Sequence, residues 1–117
     1  MEPYRTCRIC LGPFQVMGVT RIDSELMQWT ELELLFCRKC GQYYLREQLS
    51  GGGGPVAYYV QRLRGPLRSA EEATVVQNGM KACAGPPDCS GVCAVHSELG
   101  RIWASLPEVD RGEEIWA

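Results

Sequence analysis

The chain has 117 residues, 45% of them hydrophobic and 22% charged, with 12 basic side chains against 14 acidic ones. That length admits one domain or two very small ones, the formal charge of −2 argues against a general nucleic-acid binder, and no apolar run approaches the roughly 18 residues of a membrane span. Met1-Glu2-Pro3-Tyr4-Arg5 lacks the basic start and apolar stretch of a secretory leader, so the expected setting is a reducing cytoplasm.

In chain order, the first feature is Cys7-Arg8-Ile9-Cys10-Leu11-Gly12. Two cysteines three apart can grip one ion, and the glycine eases the tight turn behind them, so this segment reads as a metal knuckle. Phe14, Val16 and Val19 then predict a strand. Its partner is predicted over Thr30–Phe36, where Leu32, Leu34 and Phe36 alternate with Glu31 and Glu33. Glu25-Leu26-Met27-Gln28 also permits a helix from Ser24. A second knuckle follows in Cys37-Arg38-Lys39-Cys40-Gly41, leading into a predicted short amphipathic helix with Tyr44, Leu45 and Leu49 facing inward.

A knuckle, a hairpin, a second knuckle and a helix together resemble treble-clef zinc fingers. The C-x2-C-x26-C-x2-C spacing also resembles zinc ribbons and, more loosely, rubredoxins, which carry proline where Arg38 stands. The resemblance covers residues 7–49 and implies one zinc held by Cys7, Cys10, Cys37 and Cys40. It specifies a metal and no activity.

Ser50-Gly51-Gly52-Gly53-Gly54-Pro55 is the sharpest compositional break. Four glycines in a row are costly to hold in a helix or strand, and no Lys-Ser/Thr pair follows as in a phosphate-binding loop, so residues 51–55 are expected to form a hinge or loop. The resulting division is a first zinc module over 1–50, the hinge, a helical part over 56–106 and an acidic tail over 107–117. Within the helical part, Val56, Tyr59, Val60 and Leu63 recur at helical spacing behind Pro55. Ser69-Ala70-Glu71-Glu72 has the form of a capping box, and Asn78-Gly79 offers a stop. A last helix is expected to open at Cys93-Ala94-Val95-His96 and to turn Leu99, Ile102, Trp103 and Leu106 inward.

Cys83, Cys89, Cys93 and the only histidine, His96, complete a set of eight soft ligands in four pairs. Eight is the number that two tetrahedral zinc ions need. Sequential pairing separates Cys7, Cys10, Cys37 and Cys40 from the last four ligands, whereas a RING-like cross-brace would interleave the pairs. The treble-clef resemblance of residues 7–49 and the glycine break favour the sequential arrangement.

The fold expected is therefore α+β: a small two-zinc protein with a treble-clef or zinc-ribbon-like start and a mainly helical C-terminal part. Sites closed by four protein ligands leave no position for a reactive water, and with His96 as a ligand no histidine is left as a base, so no enzyme activity is expected. The motif Cys93-Ala94-Val95-His96-Ser97-Glu98-Leu99-Gly100-Arg101 resembles HNH nucleases only loosely, since those need a further metal-binding residue.

Function is expected instead on surfaces, as an interaction protein or regulator with a macromolecular partner, most naturally another protein. Candidate contacts are Arg62, Arg64 and Arg68, which stand in a stretch without acids, and Trp116 in the acidic tail. The alternative is a nucleic-acid-binding zinc finger using Arg8, Arg38, Lys39, Arg62, Arg64 and Arg68. An iron carrier of rubredoxin type is a further one.

Overall fold

The computed structural model describes residues 6–23, 29–53, 56–83 and 93–116. Five strands form one antiparallel sheet in the order of the chain: β1 (Phe14–Asp23), β2 (Trp29–Cys37), β3 (Tyr43–Gly53), β4 (Val56–Arg64) and β5 (Glu108–Trp116). Two helices, α1 (Ala70–Ala82) and α2 (Ala94–Ser105), interrupt the meander between β4 and β5. The helix possible from Ser24 falls outside the described residues.

Residues directly opposite in an antiparallel ladder share a face, so the register sorts the side chains. Gly18, Leu34 and Leu45 lie on the face covered by the helices, where Leu32, Leu34 and Leu45 pack with Leu67, Ala73, Val76, Met80, Leu99, Ile102 and Leu106. Phe14, Cys37, Leu35 and Tyr44 lie on the other face, where Leu35, Tyr44 and Leu63 pack with Cys7 and Cys37. The sheet thus carries a core on both sides, and β2 is buried on both faces over Leu32–Leu35. Glu33, which alternates with Leu32 and Leu34 along β2, is buried in an ion pair with Arg46, its cross-strand partner.

Two expected helices are strands. Residues Tyr43–Leu49 lie in β3, paired with β2, and Val56–Leu63 lie in β4, paired with both β3 and β5. The C-terminal part is therefore a mixture, with α1 and α2 followed by β5 where an acidic tail was expected. The treble-clef helix behind the second knuckle is absent among the described residues, because β3 occupies that place. Gly51, Gly52 and Gly53, read as hinge, pair with Tyr58, Ala57 and Val56 and so extend β3, leaving only Gly54 and Pro55 between the two strands.

The helices follow their caps more closely. The Ser69 hydroxyl accepts from the Glu72 N–H at 3.1 Å, as the capping box requires, while the Glu72 carboxylate accepts from the Arg68 N–H. The expected stop at Asn78-Gly79 is overrun by one turn. Gly79 lies inside the helix and faces α2, where a Cβ would make an ordinary van der Waals contact with Val95 at 3.4 Å. A β-bulge between Val16 and Gly18 interrupts the ladder at Met17, whose carbonyl accepts from Gln77 at 2.9 Å, and that bond fixes α1 on β1. Arg64 ties β4 to α2, with its guanidinium 4.7 Å above the Trp103 ring and a hydrogen bond to the Trp103 carbonyl.

Candidate metal centres

The register that pairs Phe14 with Cys37 sets the start of β1 beside the end of β2. Both knuckles hang from that end of the sheet and meet there. The Arg38 N–H donates to the Pro13 carbonyl at 3.1 Å, and Gly12 presses so closely on the second knuckle that a Cβ there would lie 2.3 Å from the Lys39 Cβ. As a result Cys7, Cys10, Cys37 and Cys40 bring their four sulfurs within 4.8 Å of one another.

All four are free thiols, and the Cys10 and Cys37 sulfurs are 3.2 Å apart, far beyond a disulfide bond and near the roughly 3.8 Å edge of a tetrahedral thiolate site. Cys7 and Cys37 are buried and Cys40 is exposed, so the cluster lies at the rim of the sheet. Backbone N–H groups point into it: Ile9 donates to the Cys7 sulfur and Cys40 to the Cys37 sulfur. Such donors favour thiolates, the form that binds metal. Burial raises the Cys37 thiol, but the Cys40 N–H and the neighbouring thiols outweigh it and bring the group down to about 7. At Cys10 the Gly12 N–H pulls down, while Cys37, burial and the other thiols raise the group to about 11. Burial, reinforced by Cys7 and Cys40, raises the Tyr44 hydroxyl beneath the cluster.

The second group forms where the two helices meet β1. Cys83 is the residue at which α1 ends, Cys93 caps the start of α2, and His96 stands one turn into α2. Their ligand atoms also lie within 4.8 Å of one another, with the Cys83 and Cys93 sulfurs 3.8 Å apart. Cys89, expected as the fourth ligand, lies outside the described residues.

His96 is buried, with Nδ1 3.0 Å from the Cys93 sulfur and Nε2 3.0 Å from the Arg21 carbonyl. A carbonyl only accepts, so Nε2 carries the proton and Nδ1 keeps its lone pair on the cysteine side, as a metal-binding imidazole must. Thr20 braces this arrangement. Its hydroxyl donates to the Cys83 carbonyl at 2.9 Å and lies 3.1 Å from His96 Nε2. The Cys93 thiol is lowered to about 6, first by the His96 backbone N–H at the helix start and then by the imidazole.

The structure thus gathers two groups along the sequential pairing, and both donor sets suit a metal ion. Gly12 was expected to ease the turn of the first knuckle, but the left-handed residue there is Leu11, and Gly12 instead permits the close approach to Lys39; Thr20 was not found from sequence. Thr20 stands out there only as a polar residue following an apolar strand pattern.

The candidate contact residues are engaged to different degrees. Arg62 is half-buried and donates to Glu47 at 2.7 Å, Arg64 is committed to Trp103, and Arg68 is exposed. Trp116 pairs through its backbone with Ala57 at the end of β5, and its side chain lies outside those described. No helix among the described residues is long and apolar enough to cross a membrane.

No protein-family model, curated protein or solved structure matches the chain.

Proposed function

We propose that this protein is a non-enzymatic interaction module held in shape by two structural zinc ions, acting by binding another protein in the cytoplasm. The observation that carries the reading is the closure of the first centre. Four cysteines converge on one point, and a four-thiolate site is the usual structural zinc or iron site with no open position for a substrate. With strand β3 behind its second knuckle, this centre favours the ribbon-like form of zinc finger over the treble clef.

The second centre supports the same reading, since the only histidine has one nitrogen on the cysteines and the other on a backbone carbonyl. Neither nitrogen is then left to act as a base. The groove of about 280 Å³ between α1 and α2 is lined by Val75, Gly79, Ala94, Val95 and Leu99, and its one carboxylate, Glu98, is held by Arg101. The engagement of Arg62 and Arg64 within the fold leaves less cationic surface for a phosphate backbone, which favours a protein partner over nucleic acid.

Native mass spectrometry with metal analysis tests the metal reading. Two zinc ions per chain are expected, one or none would overturn it, and a visible absorption band would mark iron. Salt titration against DNA and RNA tests the partner class. Binding that falls steeply with salt would replace the protein partner with nucleic acid.

A further inference from the structure

The two knuckles follow the same backbone course. In the first, the Leu11 N–H donates to the Cys7 carbonyl at 3.0 Å and the Cys7 N–H to the Gly12 carbonyl at 2.8 Å. In the second, the Gly41 N–H donates to the Cys37 carbonyl and the Cys37 N–H to the Gln42 carbonyl, both at 2.9 Å. The residue behind the second cysteine is left-handed in each, with φ of 72° at Gly41 and 63° at Leu11.

Glycine takes that conformation without penalty. In leucine the Cβ crowds the following carbonyl, and among the described residues Leu11 is the one non-glycine residue with positive φ. Nor does its side chain repay the strain by packing. Leu11 is 72% exposed and Ile9, two residues before it, 63%. Backbone preference argues for glycine here and core packing argues for nothing, so a strained, exposed leucine points to a contact outside the fold.

The surroundings set the chemistry of that contact. Gly12, next to Leu11, abuts the Lys39 backbone and Cβ, which brings the apolar tip of the first knuckle beside the second. Arg38 and Lys39 are exposed there, and neither knuckle contains an acid. Arg8, on the same first knuckle, already holds a carboxylate of this chain, donating to Asp110 at 2.8 Å.

We propose that Ile9 and Leu11, flanked by Arg38 and Lys39, dock a protein segment that combines apolar side chains with carboxylates. The apolar pair supplies contact area that excludes water, and the cations orient the segment. The proposal rests on the protein-partner reading above.

Short random peptides displayed on phage, selected on the zinc-loaded full chain and remeasured as synthetic peptides by fluorescence anisotropy, test it. Enriched sequences should join Leu, Ile or Phe to Asp or Glu. Leu11→Gly should weaken their binding about tenfold, as for loss of an interface anchor. It should do so with metal content intact and a melting temperature unchanged or higher, since glycine relieves the left-handed strain. Lys39→Glu should turn the selection away from acidic peptides.

Peptides that bind the wild type and Leu11→Gly equally would overturn the docking tip and leave the protein-partner reading standing. A lack of enrichment, together with salt-sensitive RNA or DNA binding, would overturn both. A dimer in sedimentation that Leu11→Gly dissociates would assign the tip to a second copy of the chain and overturn the acidic segment as occupant.

Discussion

A Cβ at position 12 would fall 2.3 Å from the Lys39 Cβ and 3.1 Å from the Cys37 sulfur, distances that force the two knuckles apart. Gly12→Ala should therefore weaken metal binding at the first centre by about tenfold or more, read by competition with a chromogenic chelator. At the second centre Thr20 acts through two partners, the Cys83 carbonyl and His96 Nε2. Thr20→Val keeps the shape and removes the hydroxyl, so this centre should lose about 10–100-fold in affinity while the first is unchanged; Thr20→Ser should restore most of the loss. The seven described candidate ligands were legible in the sequence because a soft side chain carries its chemistry in its identity and spacing. The packing role of Gly12 against Lys39 and the bracing by Thr20 were not, since both are set by where the β1–β2 register and the α1 terminus place these residues.

Within the sheet, Glu33 and Arg46 face each other across β2 and β3, joined by two hydrogen bonds of 3.1 and 3.0 Å and nearly excluded from water. Gln48 donates to the same carboxylate, and Tyr59 donates to Gln48 at 2.7 Å, so one polar ladder crosses three strands. Removing one partner strands the other charge in the interior. Glu33→Ala or Arg46→Ala should cost about 3–5 kcal/mol in urea unfolding, whereas replacing both with apolar residues of similar volume should be nearly neutral.

This ladder also explains why β3 and β4 read as helices. The helical spacing rests on Tyr44, Leu45 and Leu49 and on Val56, Tyr59, Val60 and Leu63, and it takes no account of Arg46 and Gln61, which the strands bury. The competing signals were present in Tyr43-Tyr44 and Val56-Ala57-Tyr58-Tyr59-Val60, aromatic and β-branched runs on either side of the glycine run. Helix α1 was legible because its cap is local, an interaction between Ser69 and Glu72 three residues apart. Sheet register is not local, and no single segment records it.

At the scale of the molecule the two centres hold different parts of the fold. The first lies at the Phe14 end of β1 and the second at Thr20–Arg21, six or seven residues along the same strand and on the order of 20 Å away. A metal in the first would clamp β1 to the β2–β3 connection, and one in the second would clamp both helices to β1. With ligands gathered in sequential sets, loss of one centre should not empty the other. Native mass spectrometry of Cys37→Ser and of His96→Ala should each find one metal ion per chain where the wild type has two, and loss of both ions in either variant would mean interleaved ligands. Hydrogen exchange should then divide the fold along the same line. His96→Ala should raise exchange in α1 and α2 and spare the β2–β3 ladder, because Leu35, Tyr44 and Leu63 remain packed under the first centre. Cys37→Ser should loosen the knuckle end of the sheet and leave α1 and α2 protected, since Val76, Met80, Leu99 and Ile102 keep their own core on the opposite face.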